Sequence, residues 1–138
     1  MPFLFYTTSN IMKKESKLYS IVNEKCPVCH IGEVFISSKK YDIKTFHKMH
    51  TRCNHCNHKY EIEGGFWQGA MYVGYALTVA LSVTTFILTY LIYPETDAWY
   101  HIIIISSIAF LVAPLNYRYS RMIWMNMFSS FNPEKSKL

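Results

Sequence analysis

Four cysteines stand in this sequence as two pairs, Cys26-Pro27-Val28-Cys29 and Cys53-Asn54-His55-Cys56, with 23 residues between them. Two Cys-x-x-Cys pairs at such a separation are the pattern by which two tight turns each lend two thiolates to one tetrahedral ion. Pro27 stiffens the first turn. Gly32 is expected to supply the positive φ that completes it, and Asn57 the same in the second, since glycine adopts left-handed geometry freely and asparagine better than most residues. A site of Cys26, Cys29, Cys53 and Cys56 has four protein ligands and no position left for water or substrate. The expected ion is therefore a structural Zn2+, with rubredoxin-like iron as the alternative. A thioredoxin-like redox pair would need a helix N-terminus within a βαβ unit, and no such unit fits the chain.

Five histidines crowd the same region: His30, His47, His50, His55 and His58. His47-x-x-His50 invites a second metal site, but the favoured reading is that all five are solvated or supporting residues of a small domain. None belongs to an H-E-x-x-H helix, so a membrane peptidase is not supported. With no nucleophile–base pair and no phosphate loop either, the chain is expected not to be an enzyme, and no small-molecule substrate is identified.

The elements that must hold the cysteines come from charge and hydropathy. The chain has 138 residues and a net charge of +5, yet its halves suit different solvents. Up to Glu63 there are 10 basic and 6 acidic residues; beyond it there are 4 and 3. Residues 64–93 hold no charge, and residues 98–117 hold no Asp, Glu, Lys or Arg. Each run exceeds the roughly 20 helical residues that cross a ~30 Å hydrocarbon core. Only residues 94–97 join them, which predicts a two-helix transmembrane hairpin, because backbone groups in lipid must be satisfied within helices or closed barrels.

All 14 Lys and Arg lie before residue 64 or after Asn116, so both termini are expected to be cytoplasmic, in a multi-pass protein of the cytoplasmic membrane. Beside an anionic leaflet this basic balance needs no nucleic acid as partner. Phe66, Trp67, Tyr72 and Tyr75 at one end, with Tyr90, Tyr93, Trp99 and Tyr100 at the other, read as aromatic belts. His101 is expected to be wetted at the outer interface. Gly65, Gly69, Ala76 and Ala80 form a small-residue stripe on the first span, and Ser106, Ala109 and Ala113 on the second, for docking the two helices or a partner.

The expected fold is therefore a mainly α membrane protein. It comprises a lead (1–20), a zinc-ribbon-like head (21–63), two spans (64–93 and 98–117) around an external loop (94–97), and an interfacial amphipathic helix with its tail (118–138). Within the head, Glu33-Val34-Phe35-Ile36-Ser37 and His58-Lys59-Tyr60-Glu61-Ile62-Glu63 read as short strands. Asp42 reads as the cap of a short helix bearing Ile43, Phe46 and Met49. After Pro114, Arg118 and Arg121 with Ile123, Trp124, Met127 and Phe128 predict the interfacial helix; Met122, Met125 and Met127 read as filler rather than a copper site. The N-terminus lacks the basic region of a signal peptide. Met12 before Lys13-Lys14-Glu15 reads as the more natural start, and residues 1–11 as an upstream extension or disordered lead.

"LYSIVNEKCPVCHIGEVF", "RCNHCNHKYE" and "GGFWQGAMYVGYAL", in that order, resemble the bacterial membrane proteins of domain of unknown function 983, particularly those of Bacteroidetes. The resemblance runs from about Lys13 to Pro133. It implies a cysteine-rich cytoplasmic head and two spans, and its paired cysteines map onto Cys26, Cys29, Cys53 and Cys56. Asn57 stands where a glycine is usual, and Gly64 where a proline often precedes the Gly-Phe pair. Some relatives are encoded beside haem–copper oxidase and oxidase-assembly genes, which points toward respiratory complexes. The expected function is an accessory or assembly subunit of a larger membrane protein complex, such as an oxidase. The alternatives are a metal-handling or thiol-redox factor in oxidase maturation and, more remotely, a membrane-tethered nucleic-acid ribbon.

Overall fold

A computed structural model describes residues 16–42 and 44–137; the expectations for residues 1–15, including the choice of start, and for Ile43 lie outside them. Helix α1 is Lys17–Asn23, α2 is Phe66–Ile92 and α3 is Ala98–Phe128. Ser16 caps α1, accepting from the Leu18 amide at 3.3 Å, and Glu24 ends it in the left-handed conformation with φ 55°. Gly65, at φ 84°, turns the chain from the head into α2.

At 1.5 Å per residue, α2 is about 40 Å long and α3 about 46 Å. Both are long and apolar enough to cross a membrane. A helical hairpin in the core of a soluble protein would bury such surfaces, yet along each helix the most apolar stretch is only 6% buried. Phe110 is 82% exposed and Leu91 72% exposed; surfaces of this kind call for lipid or protein around them. Tyr72, Tyr75, Tyr90, Tyr93, Trp99 and Tyr100 face outward near the helix ends. Phe66 and Trp67 turn inward, Phe66 meeting Trp124 and Phe128 and Trp67 receiving the Arg121 guanidinium.

The helices meet along a stripe that shares Gly69 with the expected one but otherwise departs from it. Ala70 and Thr85 are buried, Gly74 lies 3.5 Å from Ser120, measured from where a Cβ would stand, and Gly69 accommodates the Trp124 ring where any Cβ would clash. Ala76, Ala80, Ser106 and Ala113 are exposed. Both stripes are built of small residues, and polar anchoring selects between them: Asn116 of α3 donates to the Gly74 carbonyl at 3.0 Å and the Thr78 hydroxyl at 2.7 Å. At the loop end His101 is 7% exposed rather than wetted. Its Nδ1 is 3.0 Å from the Thr89 hydroxyl, a cross-helix bond that turns the ring into the hairpin.

Helix α3 runs through Pro114 and past residue 117 without a break. The missing proline amide is tolerated in apolar helices. The residues expected to form a separate helix in the interface are the last turns of α3, and the head packs on them. Arg118, Met122, Met125 and Asn126 are all buried. Apolar residues at this spacing look the same in sequence whether they meet lipid or a folded domain, and the buried Arg118, bonded to the head, decides between the two.

The head has no strand among its described residues. The two expected strands contribute isolated antiparallel bridges, Lys25↔Glu33, Phe35↔Met49 and Arg52↔Lys59. Lys25↔Glu33 and Arg52↔Lys59 close the necks of the two cysteine turns, and Phe35↔Met49 closes the longer loop between them. Asp42 caps one turn instead of a helix: its carboxylate accepts from the Lys44 amide and the Thr45 hydroxyl, and its carbonyl from the Phe46 amide at 2.8 Å. The core is made of the cysteines with Val28, Val34, Phe35 and Tyr60 from the head, closed by Met122 and Met125 of α3. Met127 points away and is 63% exposed, so the methionines do not converge as ligands.

Candidate metal centre

The cysteine turns are built alike. In the first, the His30 amide donates to the Cys26 carbonyl at 2.9 Å; in the second, the Asn57 amide donates to the Cys53 carbonyl at 3.0 Å. The residue after each pair is left-handed, with φ 57° at both His30 and Asn57. Asn57 has the expected conformation. Gly32 does not, and the positive φ assigned to it belongs to His30. The need for glycine at position 32 is spatial, because a Cβ there would run into the Cys53 sulfur. That contact links two turns distant in sequence, so local turn rules do not reveal it.

The turns bring all four Sγ atoms within 4.8 Å of one another. Cys26 and Cys56 are 3.8 Å apart, and Cys29 and Cys53 3.7 Å. These gaps are far beyond the ~2.05 Å of a disulfide, and all four thiols are free. Ligands at ~2.3 Å from a central ion in a tetrahedron are separated by about 1.63 times that length, or about 3.8 Å. The spacing therefore fits a metal bound by four thiolates, and soft sulfur ligands exclude calcium and magnesium as natural occupants.

Backbone amides support the anions. Those of Cys29 and Val28 point at Cys26, those of Cys56 and His55 at Cys53, and that of His58 at Cys56; His55 N lies 3.4 Å from the Cys53 sulfur. Burial dominates at Cys26 and Cys56, driving the first thiol far up and the second to about 11. At Cys53 burial also opposes the anion, but the amides of Cys56 and His55 together with side-chain hydrogen bonds from Tyr60 and Cys29 outweigh it and bring the thiol down to about 7. Tyr60, 1% exposed, donates to the Glu33 carbonyl at 3.2 Å and lies beside the sulfurs, joining the two turns.

No histidine enters this cluster, and among the described residues no second group of His, Cys, Asp or Glu is placed to hold a metal. His47 is exposed against Phe46. His30 stacks at 4.5 Å on Phe131, and His58 lies 3.5 Å from the Ser129 hydroxyl. The C-terminal tail thus lies over the cysteine turns, where the Asn132 amide also donates to the Val28 carbonyl at 2.9 Å.

Sequence reasoning missed the group that fastens this centre to the hairpin. The Arg118 guanidinium, fully buried, donates to the carbonyls of Phe46 and Ser37 at 3.1 and 2.7 Å and to the Glu24 carboxylate at 2.7 Å. It also lies over the Phe35 ring at 4.6 Å. Lys40 reaches the other Glu24 oxygen at 3.4 Å. Three separate head segments therefore converge on one α3 side chain. The available signal was the spacing Arg118, Met122, Met125 and Ser129, one helix face carried past the span.

The family described as protein of unknown function (DUF983) matches residues 43–128, a stretch holding Cys53, Cys56, Arg118 and both long helices. This chain belongs to the DUF983 family. The DUF983 match begins after Cys26 and Cys29, so the first cysteine turn lies outside it although it completes the cluster. No curated protein and no solved structure matches the chain.

Proposed function

We propose that this DUF983 protein is a non-enzymatic integral membrane protein with a structural Zn2+, serving as an accessory or assembly subunit of a cytoplasmic-membrane complex, with a respiratory oxidase as the first candidate. Its zinc-ribbon-like head and both termini face the cytoplasm, and the exposed Met127 and Phe128 at the end of α3 dip into the interface. The observation that carries this reading is the largely buried cluster of four cysteine sulfurs on a head that Arg118 anchors to the apolar hairpin. Such a head has one fixed height and angle above the bilayer, as a docking face requires. Transfer of metal or electrons would call for accessible sulfur, whereas Cys26 and Cys29 are fully buried, Cys53 is 3% exposed and only Cys56 is partly exposed.

Purification of the intact protein from its native membrane in mild detergent, followed by native mass measurement and metal analysis, tests the proposal. The expected result is one tightly held zinc per chain and co-purification of a larger membrane complex. A metal that exchanges readily with copper, or a protein that runs alone from its native membrane, would overturn it.

A further inference from the structure

A groove of about 370 Å³ opens between the long helices at the end that carries the head. Its walls are small and apolar, formed by Ala70, Gly74 and Leu81 of α2 and by Ala109, Val112 and Ala113 of α3. Arg121 stands at its head end. The guanidinium lies 4.7 Å from the Trp67 ring and 4.3 Å from the Tyr117 ring, and donates to the Met49 sulfur at 3.2 Å. These partners are two aromatic faces and a thioether, and among the described residues Arg121 has no carboxylate in ion-pair range. Arg118, one turn earlier, meets Glu24 at 2.7 Å. Arg121 is thus a half-buried cation, oriented by stacking, that has no carboxylate bonded to it and feels only the more distant charge of Glu61. A guanidinium held in this way matches a phosphate bidentately.

From Arg121 to Ala109 the groove extends twelve residues, or about 18 Å along α3, a run suited to an alkyl chain. Asn116 stands partway along it, with its Oδ1 buried and without a donor, adding a polar step between charged mouth and apolar floor. The geometry points to a binding site for one anionic phospholipid, its phosphate on Arg121 and one acyl chain between α2 and α3. The inference rests on the reading that these helices span a membrane, where basic pockets between helices are natural headgroup sites.

The test uses the full-length, metal-loaded protein, stripped of lipid and returned to bilayers of phosphatidylglycerol and phosphatidylcholine mixed in equal amounts, with retained lipid counted by native mass measurement. One phosphatidylglycerol should remain bound, favoured at least tenfold over phosphatidylcholine. Arg121→Gln should abolish the preference. Ala113→Phe, at an exposed groove position remote from the cation, should reduce retention of both lipids. Metal content and circular dichroism verify that each variant is folded. Equal retention of the two lipids, unchanged preference in Arg121→Gln, or saturable binding of inorganic phosphate with no lipid retained would overturn the proposal. A protein that is membrane-inserted and metal-loaded but shows no lipid preference refutes this site alone, whereas failure to insert refutes the spanning reading beneath it.

Discussion

The residue after each cysteine pair is left-handed, and neither His30 nor Asn57 is the glycine that conformation favours. The strain costs roughly 1 kcal/mol at an ordinary residue and less at asparagine. Asn57→Gly should therefore leave stability of the loaded head unchanged or raise it slightly, while His30→Gly gains backbone ease but loses the stacking on Phe131; denaturant titration of each variant checks the order. Gly32→Ala should be far worse than its size suggests. The added methyl would displace the Cys53 sulfur, so metal stoichiometry should fall toward that of Cys53→Ser, with a parallel drop in abundance. Retention of one ion per chain in Gly32→Ala would contradict the packing described. The ligands themselves were legible because each Cys-x-x-Cys pair is local. The requirement at position 32 was not, since it arises from a sulfur 21 residues away.

Between elements, the decisive interaction is the buried pair of Arg118 and Glu24, which fixes α3 to the end of α1. Removing one member of such a pair strands the other charge and typically costs 3–5 kcal/mol. Arg118→Met should therefore loosen the head while leaving the hairpin in the membrane fraction, seen as new protease cleavage within residues 24–63. Glu24→Gln should do less, because the guanidinium keeps its carbonyl partners at Ser37 and Phe46. Equal protease resistance in Arg118→Met and the parent would show that the pair does not mount the head. Uncharged length made the two long helices readable in advance. The faces they share were not readable, because an apolar helix is small and greasy on several sides; Asn116 and His101 select the contact by polar bonds that hydropathy averages away. The far end of α3 is illegible for a related reason, since an apolar face beside arginines reads alike for lipid and for a protein core.

For the whole molecule, metal and fold are linked. The head is a few dozen residues with a small core, too little apolar surface to hold itself folded, so binding free energy serves as folding free energy. Chelation should melt the head and leave the long helices intact, visible as a modest loss of helical circular dichroism with a large gain in head proteolysis. The same linkage sets a pH dependence. Without metal, burial keeps Cys26 and Cys56 protonated at neutral pH, the latter up to about 11, whereas the amides and side-chain hydrogen bonds around Cys53 lower its thiol to about 7. Metal must displace the protons on Cys26 and Cys56, so loading near pH 7.5 should release at least two per ion. Because proton release makes affinity rise with pH, each unit of acidification should weaken binding by about a hundredfold or more, and the head should lose both metal and fold on the acid side. Calorimetric titration of the metal-free protein in buffers of different ionisation enthalpy counts those protons directly. Release of fewer than one would mean that the thiols are already ionised before metal arrives, and that burial does not govern this centre.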